Sequence, residues 1–168
     1  MRYFYDTEFI EDGNSIDLVS IGIVAEDGRE YYAVSTEFNA SKANPWVRAN
    51  VLAQLPNPSD SAWKSRDTIR REVFEFLTSA STAPQLWAWV GAYDHVVLAQ
   101  LWGDMSGLPK ELPRYTRELK QYWEMAGHPK LPPLPSGAHD ALVDARHNLA
   151  KFKACMAVLP LSSKNAAG

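Results

Sequence analysis

Apolar and polar positions alternate with a period of two from Met1 to Glu8, with Tyr3 and Tyr5 on one side and Phe4 and Asp6 on the other. That pattern predicts a strand, and this one ends in carboxylates. A second apolar run, Leu18 to Ala25, leads through the turn pair Asp27-Gly28 into the aromatic and β-branched stretch Tyr31 to Thr36. Together the three segments predict an antiparallel meander. A short helix is expected around Pro45 to Leu55, then a loop over Pro56-Asn57-Pro58-Ser59-Asp60, whose residue types favour turns. From Arg66 to Leu77 the period becomes helical. Ile69, Val73, Phe76 and Leu77 share one face and charged residues fill the rest, as in a surface helix lying on a sheet.

Gln85 to Val90, bounded by Pro84 and Gly91, reads as a short buried strand, and Asp94 to Trp102, ended by Gly103, as the helix that follows it. Arg117 to Ala126, stopped by Gly127, predicts another helix, and the prolines from Pro129 to Pro135 interrupt helical structure. The last helix is expected from about Asp140 to Leu159, followed by a small, polar and flexible tail over residues 162–168. This order predicts an α/β fold with a mixed five-stranded sheet, an antiparallel meander followed by parallel strands, flanked by helices. With 168 residues and neither an internal repeat nor a linker, a single domain over residues 1–161 is expected.

Composition narrows the function. A net charge of −3 argues against non-specific nucleic-acid binding through a broad basic face. It leaves room for a protein whose carboxylates load divalent cations, because those ions present positive charge to a phosphate while the polypeptide stays acidic. No apolar run approaches the ~18 residues that cross a bilayer, and the first residues lack the order of a signal peptide, so a soluble, cytoplasmic protein without a membrane partner is expected. The one cysteine, Cys155, permits neither a disulfide framework nor a cysteine-based zinc site, and a buried, inert thiol is expected.

The candidate chemistry lies in three places. Asp6 and Glu8 are two apart on a strand, so both carboxylates point to one face. Taken alone, the pair also fits a solvated strand end. Asp94 follows a strand near the start of a helix, where unpaired N–H groups favour an anion; helix capping explains it equally well in isolation. If its strand lies parallel to the first, the strand ends bring Asp94 beside Asp6 and Glu8. His139 and Asp144 flank the start of the last helix. Residues five apart on a helix diverge by about 140°, so His139 has to precede the helix proper to converge with Asp144, and Gly137 and Ala138 leave it room to do so. A solvated loop histidine and an early-helix anion remain the alternative. His95, His128 and His147 lack such a carboxylate context.

Asp6-Thr7-Glu8, Asp94 after a strand, and His139 ahead of Asp144 resemble the pattern of the DEDDh 3′-5′ exonuclease family, over nearly the whole chain. The segments from Tyr5 to Gly13 and from Gly137 to Ala145 are most similar to the RNase AS group of mycobacterial polyadenylate-specific exoribonucleases. The resemblance implies a ribonuclease-H-like fold and 3′-5′ hydrolysis of single-stranded RNA, with adenylate-rich 3′ tails as substrate and AMP as product. It also implies two Mg²⁺ ions, replaceable by Mn²⁺, held by Asp6, Glu8, Asp94 and Asp144, with His139 as general base and the chain working as a homodimer. Oxygen-only ligands suit these hard ions. Phe9, Leu18 and Trp63 are candidate nucleotide contacts through stacking or wedging, with core packing as the other reading of Leu18 and Trp63. Lys64, Arg66, Arg70 and Arg71 could steer RNA or form a solvated charged face. Trp46, Trp102 and Trp123 are candidate dimer anchors. A DNA exonuclease with the same catalytic group, and a nucleotide-binding protein without activity, remain as alternatives.

Overall fold

The alternating N-terminal segments pair as their pattern requires. In the computed structural model, which describes residues 1–161, β1 (Arg2–Glu11), β2 (Ile16–Ala25) and β3 (Glu30–Ser35) form an antiparallel meander. Gly28 in the β2–β3 turn has φ 94°, a conformation that costs a side-chain-bearing residue energy. α1 (Pro45–Asn50) follows, with Asn44 accepting from the Val47 N–H and Pro45 in the first turn, where its missing N–H costs nothing. Next come β4 (Trp63–Lys64), α2 (Arg66–Thr78), β5 (Gln85–Ala88), α3 (Ala92–Gln100), β6 (Arg117–Glu118), α4 (Leu119–Met125) and α5 (Ala141–Val158).

The sheet order is β4-β3-β2-β1-β5-β6, with β1–β5, β3–β4 and β5–β6 parallel. It therefore has six strands where five were expected. β4 and β6 are two residues long, too short to leave any periodic signal, and exist only because a neighbouring strand supplies their hydrogen bonds. For the same reason the helix expected from Arg117 starts at Leu119: Arg117 and Glu118 pair with β5, and the Glu118 carboxylate caps α4 by accepting from the Lys120 N–H. The tail expected over 162–168 lies outside the described residues.

Three layers result. α2 and α3 cover one face of the sheet, where Ile69, Val73, Leu77, Val97 and Leu98 pack on Tyr3, Tyr5, Ile21 and Ile23. α4 and α5 cover the other, where Tyr122, Phe152 and Cys155 meet Phe4 and Trp87. Phe152 lies 4.9 Å from both the Phe4 and Trp87 ring centroids, and each such contact contributes about 1 kcal/mol beyond area burial. α1 closes one end over Ile10 and Val19. Among the described residues no helix is long and apolar enough to cross a membrane. Cys155 is buried, as expected.

Candidate active site

The alternation of β1 carries Phe4, Asp6 and Glu8 to the face that α5 covers. Two backbone features shape this end of the strand. Asp6 pairs with Gly22 on β2, and a Cβ on Gly22 would lie 2.3 Å from the Ala141 carbonyl oxygen, so only glycine lets the first turn of α5 rest on the sheet there. The register then shifts between Glu8, opposite Ser20, and Phe9, opposite Leu18. A bulge of this kind re-aims the side chains next to it. Asn148 on α5 donates to the Tyr5 carbonyl at 3.2 Å and ties helix to strand.

Asp94 stands in the first turn of α3, only 6% exposed. Its Oδ1 accepts from both the backbone N–H (2.8 Å) and the hydroxyl (2.7 Å) of Thr7, the residue between Asp6 and Glu8. The parallel β1–β5 pairing thus brings the two strand ends together, and Thr7 locks the third carboxylate in place. The turn before α3 is held in turn by Glu118, whose carboxylate accepts from the Val90 (2.8 Å) and Gly91 (3.0 Å) N–H groups. Val90 is held at φ 56°, a costly conformation for a β-branched residue.

His139 precedes α5, as the spacing requires, and takes up φ 72° after Gly137 at φ 85°. Asp140 is the helix cap, accepting from the Leu142 and Val143 N–H groups at 3.0 Å each. The His139 N–H donates to Asp144 Oδ2 at 2.7 Å, and Gln54 donates to the Ala138 carbonyl at 2.8 Å, so this short segment is tied at both ends. The imidazole is exposed and meets the Trp46 ring edge-on, centroids 4.8 Å apart.

Asp6, Glu8, Asp94, His139 and Asp144 all line one cavity of about 480 Å³, together with Thr7, Phe9, Tyr93 and Lys151. One donor atom from each of Glu8, His139 and Asp144 falls within 4.8 Å of the others. Burial, then the charges of Asp94, Glu8 and Asp144, hold the Asp6 carboxyl well above the ordinary carboxylate range. Burial, with Asp144 and Asp94 nearby, pushes Glu8 up to about 8. Asp94 is pushed up to about 6 by burial, against the lowering effect of the Thr7 hydrogen bonds. None of these carboxylates forms a salt bridge with lysine or arginine among the described residues. Crowded, unpaired carboxylates with oxygen-only ligand atoms fit a hard divalent cation, which relieves the mutual repulsion that proton uptake otherwise relieves.

Of the expected nucleotide contacts, Phe9 is on the cavity wall, stacked on Tyr93 with centroids 5.7 Å apart and planes 12° from parallel. Leu18 and Trp63 are not on that wall. Leu18 is 4% exposed and belongs to the core under α2 and α3. Trp63 lies in β4; its indole N–H donates to the Pro56 carbonyl and its ring stacks on Phe38. The cations considered for RNA steering are paired instead: Lys64 with Glu72, Arg66 with Asp17, Arg70 with Asp67 and Arg71 with Glu75. Trp46 is exposed, whereas Trp102 and Trp123 are half-buried against the two cores. His95 bonds Thr116 and His147 bonds the Pro132 carbonyl, both structural.

Sequence reasoning missed Tyr93, Asn148 and Lys151. Tyr93 carried no signal beyond its position next to Asp94. Asn148 and Lys151 were readable, since Asp144, Asn148 and Lys151 follow a four-then-three spacing along one helix face.

The family model described as the 3′-5′ exoribonuclease Rv2179c-like domain matches residues 1–156. Two Mycobacterium tuberculosis proteins are each 61% identical over 154 residues, covering 91% of this chain and 92% of theirs: 3′-5′ exoribonuclease Rv2179c (strain ATCC 25618 / H37Rv) and 3′-5′ exoribonuclease MT2234.1 (strain CDC 1551 / Oshkosh). Among solved structures, the zinc-bound E. coli ExoI–ssDNA complex superposes with a TM-score of 0.67 at 12% identity over 95% of this chain, which spans 41% of the ExoI chain. S. pombe Pop2p in its Mg²⁺- and Mn²⁺-bound form gives 0.57 at 11% identity, covering 97% of this chain and 86% of that one. At such identities these two likenesses establish a shared fold, the ribonuclease-H-like one, and nothing beyond it.

Proposed function

Since this chain belongs to the 3′-5′ exoribonuclease Rv2179c-like family, we propose that it removes nucleotides one at a time from the 3′ ends of single-stranded RNA, preferring adenylate-rich tails and releasing AMP. The observation that carries this reading is the convergence of Asp6, Glu8, Asp94, Asp144 and His139 on one cavity. Asp6, Glu8, Asp94 and Asp144 would hold two Mg²⁺ ions, or Mn²⁺ in their place, which when bound supply positive charge to the phosphate and acidify water.

The chain's own groups do the rest. His139 sits at the rim and accepts a proton from the attacking water, whose oxygen forms the new bond to phosphorus. The bond from phosphorus to the 3′ oxygen of the preceding nucleotide breaks, its electron pair stays on that oxygen, and a proton from solvent restores the 3′ hydroxyl. Thr7 keeps Asp94 turned toward Asp6 through its two hydrogen bonds. The stacked Phe9–Tyr93 pair offers an aromatic surface for a splayed base. Residues 1–161 form a single exonuclease domain in this reading, and the working form is a homodimer, as the family resemblance implies.

The test is digestion of 3′- and 5′-labelled homopolymeric RNAs, and of DNA of equal sequence, with Mg²⁺, Mn²⁺ or EDTA. The reading expects stepwise loss from the 3′ end, fastest on oligoadenylate, abolished by EDTA. Metal-independent cleavage, or degradation from the 5′ end, refutes it.

A further inference from the structure

Lys151 is the one lysine or arginine on the wall of the carboxylate cavity among the described residues. It lies on α5 seven residues beyond Asp144, and at 100° per residue the two side chains leave the helix within about 20° of one direction. Its Nζ donates to Asn148 Oδ1 at 3.1 Å and stands 4.5 Å from the centroid of the Trp89 ring. Although Asp6 and Asp144 both act on it electrostatically, it forms no salt bridge among the described residues. A neutral amide and an aromatic face therefore hold a half-buried ammonium at a standoff from the acidic cluster. Of its three N–H donors, one is used on Asn148, which leaves two for a ligand in the cavity.

Resting on the nuclease reading above, we propose that Lys151 binds the phosphate of the 3′-terminal nucleotide, the group whose bond to the preceding sugar is cut. In that reading the charges of the four carboxylates and two divalent ions cancel, and the Lys151 ammonium is the charge left to balance the phosphodiester anion. Neither Asn148 nor Trp89 competes as an ion pair, so the contact forms without breaking a salt bridge. An ammonium acting as a compact point charge suits a phosphate oxygen approached from one side.

The experiment compares the unaltered protein with K151M, which is unbranched, one atom shorter and equally helix-favouring but uncharged, and with K151R. AMP and adenosine binding are measured calorimetrically with Ca²⁺ in place of Mg²⁺, and RNA hydrolysis with Mg²⁺. K151M is expected to weaken AMP binding about 10- to 100-fold, the range for one charge-assisted hydrogen bond, and to leave adenosine unchanged. The KM for oligoadenylate rises correspondingly, and the slope of log affinity for RNA against log salt becomes shallower by about 0.7. K151R restores most of the AMP affinity. The proposal is overturned if K151M binds AMP within twofold of the unaltered protein, or if AMP and adenosine weaken alike while the melting temperature in EDTA falls, the behaviour of a lysine that only balances carboxylates. Failure of the nuclease reading appears separately, as no RNA cleavage by the unaltered protein; the AMP-to-adenosine comparison then still decides whether Lys151 holds a phosphate.

Discussion

Replacing Glu8 by Gln is expected to stabilise the metal-free protein at alkaline pH while abolishing its turnover. Glu8 is pushed up from 4.5 to about 8 by burial and by Asp144 and Asp94. An acid whose folded-state pKa is raised destabilises the fold as pH rises: the penalty is absent below about 4.5, grows between 4.5 and 8, and is complete above 8. At ~1.36 kcal/mol per pH unit the ceiling is about 5 kcal/mol. Relaxation of the cavity and entry of water reduce what is realised to about 2 kcal/mol, consistent with the high effective dielectric of such sites. In a domain of this size that raises Tm by about 4–8 °C. The assay is thermal unfolding of both proteins in EDTA at pH 5 and pH 9, then with saturating Mg²⁺. Glu8→Gln should melt higher at pH 9 and level with the unaltered protein at pH 5. Mg²⁺ should close or reverse the gap, because the ion stabilises the full carboxylate set more than the depleted one. An equal or lower Tm for Glu8→Gln at pH 9 in EDTA would show that the cluster is not under electrostatic strain, and the argument for cation binding would go with it.

Mg²⁺ binding at pH 7 is expected to release at least one proton, since Glu8 with a pKa of about 8 is then mostly protonated and burial holds Asp6 above the ordinary carboxylate range, and affinity should fall between pH 8 and pH 6 as Asp94, at about 6, also gains a proton; calorimetry in two buffers of different ionisation enthalpy measures this, and binding without proton release contradicts it. His139→Ala should keep Mg²⁺ and RNA binding and lose at least ~100-fold in kcat, and normal turnover would remove His139 from the proton-transfer role. Gly22→Ala should destabilise the fold by about 3 kcal/mol and strip activity from what remains folded, because a Cβ there meets the Ala141 carbonyl at 2.3 Å. Native Tm and activity in that variant would mean that α5 does not depend on close approach to the sheet.

Much of this fold is legible in the sequence. The period-two alternation of Tyr3 and Tyr5 with Phe4 and Asp6, and the helical face of Ile69, Val73 and Leu77, state which side chains share a face, and those elements form where the pattern puts them. The conflict between five-residue spacing and a shared pocket correctly moved His139 ahead of α5. Where a residue's role depends on a partner distant in sequence, the pattern was mute. Leu18 packs in the core and Trp63 stacks on Phe38, contacts that the spacing along their own segments does not record, and the two-residue strands β4 and β6 exist only through their neighbours.

What the sequence determined by itself was the inventory: which strand ends bear carboxylates, which helix opens behind a histidine, and which faces are apolar, because these follow from local geometry and periodicity. What the tertiary structure decided was convergence. The parallel pairing of β5 with β1 lets Thr7 hold Asp94, and the missing side chain at Gly22 lets α5 lower Asp144 and Lys151 into the same cavity. Both are contacts between segments far apart along the chain, and the spacing of residues within one segment carries no record of the backbone that will pack across it.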